Sequence, residues 1–129
     1  DGYELLDGGI ADSIPIQFLE SLGYDRNVVI LTQPRDYVKG KNQLIPLAKV
    51  MLRKYPAMIE AMENRHIHYN ETLDYIRKRE KEGSLFVIRP PKKLEVSKLE
   101  RDRQRLHTAY RMGRETMKSH LRDLQKFLE

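Results

Sequence analysis

The chain has 129 residues, which is one ordinary domain, with 40% apolar and 33% charged side chains and a mean hydropathy of −0.68. No apolar run reaches the roughly 18 residues of a membrane span, no signal-peptide pattern is present, and the absence of cysteine excludes disulfides, thiol nucleophiles and thiolate-bound zinc. The net charge of +5 is unevenly spread. Residues 1–36 carry Arg26 and Arg35 against seven acids, a net of −5, and residues 37–129 carry 22 cations against 12 acids, a net of +10. The basic part therefore reads as mainly solvated helix surface, with at most weak attraction to an anionic membrane surface.

The first predicted element is a strand over Tyr3–Leu6 that runs into a tight turn at Asp7-Gly8-Gly9. Ser13 precedes Ile14-Pro15 and marks a helix start, and the helix Pro15–Leu22 stops at Gly23. Asn27–Thr32 (NVVILT) is a β-branched run of the kind found in strands buried on both faces. The head thus reads strand, turn, helix, strand, the size of a βαβ unit, whose crossover should be right-handed.

Beyond a polar loop, Leu44–Tyr55 reads as a helix that Pro56 ends or restarts. Pro56–Glu82 reads as a longer helix with an apolar stripe of Ile59, Met62, Tyr69, Leu73 and Ile76, ended by Gly83. Ser84–Arg89 is the third predicted strand, closed by Pro90-Pro91. A last helix over Leu99–Leu128 carries a heptad-like face of Leu106, Tyr110, Gly113, Met117, Leu121, Leu124 and Leu128. The fold class is α/β. Three strands are few for a parallel sheet, and the chain opens at Asp1, so it reads as a piece of a longer chain or a processed product.

Asp7-Gly8-Gly9 is the sharpest chemical feature. It sits where α/β folds place their sites, at the carboxyl end of a predicted strand. Two glycines permit positive φ and close approach, and a carboxylate there can act as a base, although an isolated D-G-G is also an ordinary turn. His66 and His68 are two apart and cannot chelate together. His66 lies on the apolar stripe as a packed histidine, and no metal or cofactor is expected. The basic segments Arg77–Lys81 and Arg89–Lys98 lack interleaved aromatics, so nucleic acid is not an expected partner, and with no Trp and few Phe no helix reads as a strong interfacial anchor.

The stretch YELLDGGIADSIPI (Tyr3–Ile16) resembles the second catalytic block of the patatin-like phospholipases, in which a strand ends in Asp-Gly-Gly and a proline soon starts a helix. GYDRNVVILTQPRDY (Gly23–Tyr37) is similar to the next strand of bacterial members, and RHIHYNETL (Arg65–Leu73) and FVIRP (Phe86–Pro90) to their helical tail. The resemblance implies the carboxyl-terminal part of a three-layer parallel-sheet fold in residues 1–36, with a mostly helical extension holding one further strand in 37–129. It implies a cytoplasmic, peripheral enzyme that hydrolyses acyl esters of lipids through a Ser-Asp dyad. Asp7 matches the dyad aspartate, and Gly8 and Gly9 match its turn. The nucleophile elbow G-x-S-x-G and a glycine-rich oxyanion loop are absent, and Ser13, Ser21, Ser84, Ser97 and Ser119 all lie outside that frame, so the serine is expected on a missing amino-terminal portion of the same protein. The alternative is a non-catalytic basic helical module for binding or interaction.

Overall fold

The computed structural model describes residue 2, residues 5–97 and residues 99–129. Its elements in order are a single 3-10 turn (Gly8–Ile10), α1 (Ile16–Ser21), β1 (Asn27–Ile30), α2 (Ile45–Met51), α3 (Pro56–Lys81), β2 (Leu85–Ile88) and α4 (Arg103–Leu128). The chain forms two compact units of interleaved segments, Asp1–Gly23 with Val38–Lys78 and Tyr24–Tyr37 with Arg79–Glu129.

In the first unit, Pro56 opens α3, and the long helix follows the predicted stripe. Leu73 and Ile76 are buried, Ile76 fully, and Ile59, Met62 and Tyr69 are half-buried. The Asn70 side chain fastens the polar loop to α3 as a neighbouring peptide would. Its Oδ1 accepts from the Lys39 N–H at 2.8 Å and its Nδ2 donates to the Lys39 carbonyl at 3.1 Å. The Lys39 ammonium lies 4.8 Å from the centre of the Tyr69 ring, a cation–π contact on the same side. Tyr75 donates to Glu20 of α1. α1 is shorter than predicted. It begins at Ile16 with Pro15 as N-cap, because Ser13 spends its hydroxyl on the Gly9 carbonyl instead of a helix N–H. Gly23, at φ 90°, ends it.

The second unit holds a two-stranded parallel sheet in which Asn27 pairs with Leu85 and Ile30 with Ile88, and the Leu31 N–H extends the ladder to the Ile88 carbonyl. This corrects two expectations. The sheet of the described residues has two strands, not three: Leu5 and Leu6 form no strand and are 86% and 65% exposed, while Tyr3 and Glu4 lie outside the described residues. A strand needs a neighbour to pair its backbone, and no described segment runs beside Leu5 and Leu6. Nor is β1 buried on both faces. Val29 is 7% exposed, whereas Ile30 is 72% exposed, so burial alternates with the pleat.

The other face is covered over β2 alone, where Phe86 meets Phe127 and His120 of α4 at ring-centre distances of 5.6 and 6.1 Å. Arg26 caps this cluster, its guanidinium 5.1 Å from the centre of the Phe127 ring. The half-buried side of α4 is therefore Ala109, Met112, Thr116, Met117, His120, Leu124 and Phe127; two members of the heptad-like face, Met117 and Leu124, belong to it, while Leu106, Tyr110, Gly113, Leu121 and Leu128 stay exposed. Arg89 and Glu80 form an ion pair that ties the end of β2 to the last turn of α3.

Candidate functional site: the Asp7 turn and its arginine brace

The site is built on an acidic turn. Asp7 is the N-cap of Gly8–Ile10, and its Oδ1 accepts the Gly9 N–H at 2.8 Å. A short carboxylate does this readily because two residues on is the reach of an Asx turn. The Ile10 and Ala11 N–H groups close the turn onto the Asp7 and Gly8 carbonyls, both at 3.1 Å. Asp7 and Gly8 are exposed.

Neither Gly8 nor Gly9 has a positive φ, which corrects the expectation that the glycines serve that purpose. Gly9 serves close approach instead. A Cβ there would lie 3.1 Å from Asp7 Oδ1 and 3.7 Å from Arg65 Nη2, so a methyl group would press on the carboxylate. At Gly8 a Cβ would meet nothing within 4 Å, and the space beside the Asp7 backbone is open.

Arg65, from the middle of α3, braces the turn from behind. Its Nε–H donates to the Gly9 carbonyl at 2.8 Å and lies 3.2 Å from Ser13 Oγ, while the Ser13 hydroxyl donates to the same carbonyl at 2.7 Å. The single Nε–H is shared between the two acceptors, and a guanidinium suits this role because it stays charged and keeps that N–H as a donor. Ser13 is the nearest serine in sequence, yet its proton is committed to the Gly9 carbonyl and is not offered to a base. Asp12, the competing carboxylate, accepts the Ile14 N–H at 3.2 Å and opens the segment leading to α1, as its position before Ser13 and Pro15 implies.

On α3 the same side as Arg65 carries His68, Tyr69 and Thr72, at helical spacings of three, four and seven. With Ala11, Asp12, Gln17 and Glu71, His68 and Thr72 line a shallow depression of about 330 Å³. His68 Nδ1 is 3.3 Å from Glu71 Oε2, and both side chains are largely exposed. His66 instead places Nδ1 2.9 Å from the Glu63 carbonyl and is half-buried, in keeping with a packed histidine. Among the described residues no three His, Asp or Glu side chains are grouped to hold a metal ion, and no helix is long and apolar enough to cross a membrane.

Sequence reasoning singled out Asp7, Gly8 and Gly9 but assigned no role to Arg65. The signal was faint: one arginine among many, within RHIHYNETL, 56 residues from the carbonyl it holds. Only the fold brings them together.

No curated protein and no solved structure matches the chain. A family model described as a domain of unknown function, DUF6363, matches residues 55–129, which cover α3, β2 and α4 and include Arg65, while the Asp7 turn precedes the match. Because that match spans more than half of the sequence, the chain belongs to the DUF6363 family.

Proposed function

We propose that this chain is the carboxyl-terminal segment of a patatin-like phospholipase, a cytoplasmic lipid acyl-ester hydrolase whose Ser-Asp dyad takes its aspartate, Asp7, from here and its serine from outside these residues. One observation carries the reading. The Asp7 carboxylate is exposed, held by one oxygen on the Gly9 N–H, and set on a turn that Arg65 fixes through the Gly9 carbonyl. That is what a dyad without histidine requires of its base: a short stem, a fixed backbone and an open side toward the nucleophile.

In this mechanism the serine hydroxyl gives its proton to Asp7 as Oγ attacks the ester carbonyl. The tetrahedral intermediate collapses to an acyl-enzyme, and the leaving alcohol takes the proton back from Asp7. Water then repeats the sequence on the acyl-enzyme and releases the fatty acid. The bond from Gly9 N–H to Oδ1 keeps the carboxylate oriented through both halves. Arg65, bonded to the backbone carbonyl, acts as a positioning residue.

The test is an assay with p-nitrophenyl esters. The 129-residue chain alone should release no nitrophenol above buffer, since it offers no elbow serine, while the parent protein should turn the esters over. Clear turnover by the chain alone that disappears in Asp7→Ala would contradict the division of the dyad between the two portions.

A further inference from the structure

We propose that α4 docks this protein onto anionic lipid bilayers, lying in the interface along its length. The inference is independent of the dyad, because it concerns binding by a different element in the second unit. Of the apolar side chains on α4, four remain uncovered: Leu106, Tyr110, Leu121 and Leu128 are 45%, 61%, 47% and 61% exposed. At about 100° per residue they fall within an arc of roughly 60°, a stripe which they share with the half-buried Met117 and Leu124 at the edge of the face that packs on Phe86.

The other flank of that stripe is cationic. Arg103, Arg111, Arg114, Lys118, Arg122 and Lys126 are all exposed and share an arc of about 140° that begins where the apolar stripe ends. Glu115, paired with Lys118 at 3.0 Å, and the C-cap residue Glu129 are the acids within that arc. Arg114 Nη1 donates to the Tyr110 hydroxyl at 3.2 Å, which joins the two stripes at mid-helix. The helix of 26 residues is about 39 Å long; the cations run along it, and the exposed apolar groups form two clusters, Leu106 with Tyr110 in its first part and Leu121 with Leu128 in its last, with half-buried Met117 between them.

Charge selects the occupant. A second copy seated on the apolar stripe would bring two cationic arcs side by side. A nucleic acid would meet the phosphate-binding side chains but leave a row of apolar groups against a polar backbone. An anionic bilayer satisfies both stripes at once, with phosphate headgroups along the cations and the acyl boundary along the leucines. The apolar periodicity was visible in the sequence as a heptad. Its position beside the packed face, with cations on the free side, is what makes it a lipid-facing edge.

The test is co-sedimentation of the intact chain with vesicles of 30% phosphatidylserine in phosphatidylcholine, and with phosphatidylcholine alone. Binding should appear with the anionic vesicles and weaken as salt is raised. R114Q/R122Q should lower partitioning about 25-fold, at roughly fivefold per charge, and L121S about tenfold through lost apolar burial. All these positions are exposed, and unchanged circular dichroism would show that the variants fold. Failure to bind anionic vesicles, equal binding to phosphatidylcholine, or binding indifferent to L121S would overturn the proposal. So would a chain that ignores vesicles but binds duplex oligonucleotide, or one that dimerises through Leu121 and ignores vesicles.

Discussion

If the proposed dyad is right, Asp7→Asn in the full-length hydrolase proposed above should leave the fold intact and lower ester turnover by about 10²- to 10⁴-fold, the range a positioned general base contributes. Asparagine keeps the size of the side chain and an oxygen for the Gly9 N–H, so the turn at Gly8–Ile10 should survive. What it loses is the capacity to accept the serine proton, because an amide is a far weaker base than a carboxylate. The loss should fall on kcat, since the acid–base step and not substrate binding is removed. Asp12→Asn is the matched control. Its carboxylate bonds the Ile14 N–H, and the amide oxygen can keep that bond, so activity should stay near wild type. Equal losses at the two positions would remove Asp7 from the mechanism.

The second large effect is on stability. Ile76 is the one large side chain among the described residues that is fully enclosed, and Ile76→Ala should destabilise the protein by about 2–5 kcal/mol. The cost combines the lost transfer of the side chain from water with the cavity left in a helix flank that cannot collapse fully. Ile67→Ala on the same helix is the informative comparison, since that side chain is 45% exposed. Both changes gain the same few tenths of a kcal/mol of helix propensity, so the difference between them isolates burial. Urea unfolding followed by circular dichroism should show Ile67→Ala within about 0.5 kcal/mol of wild type. Matching losses for the two variants would mean that the stripe of α3 is not the core of its unit.

Much of this fold was legible where local chemistry decides. Gly23 and Gly83, at φ 90° and 76°, end α1 and α3 as their positions after helical stretches imply, and Pro56 opens α3 because it needs no N–H there. The four residues of each strand lie inside the predicted strands Asn27–Thr32 and Ser84–Arg89. The misreadings are those in which a distant partner decides. Leu5 and Leu6 have strand-like character but no described neighbour to pair with. Ser13 has the composition of a helix cap but is drawn away by Gly9 and Arg65.

The start of α4 was a local signal that was missed. The helix begins at Arg103, because Asp102 Oδ1 accepts the Gln104 and Arg105 N–H groups at 2.8 and 3.2 Å. Just before it, the Glu100 carboxylate accepts N–H groups of Asp102, Ser97 and Arg101, which hold its pKa below the usual glutamate range. The packed face of α4 was read only in part from periodicity: the heptad holds half-buried Met117 and Leu124, but a seven-residue repeat does not report which side meets Phe86.

For the candidate site, the carboxylate and its glycines were legible and the brace was not. Asp7 announces itself through the residues beside it. Arg65 is joined to Gly9 only by the path of the chain through α1, β1 and α2, and nothing in the spacing of the sequence encodes that meeting.

The central claim is that Asp7 activates a serine outside these 129 residues. Trapping with a fluorophosphonate tests it most directly, because the reagent modifies only a serine that a base has activated. Peptide mass spectrometry of the labelled parent protein should find the adduct on one serine outside residues 1–129, and Asp7→Asn should slow labelling by about the 10²- to 10⁴-fold expected for turnover. An adduct on Ser13, Ser21, Ser84, Ser97 or Ser119, or a labelling rate unchanged by Asp7→Asn, would contradict it.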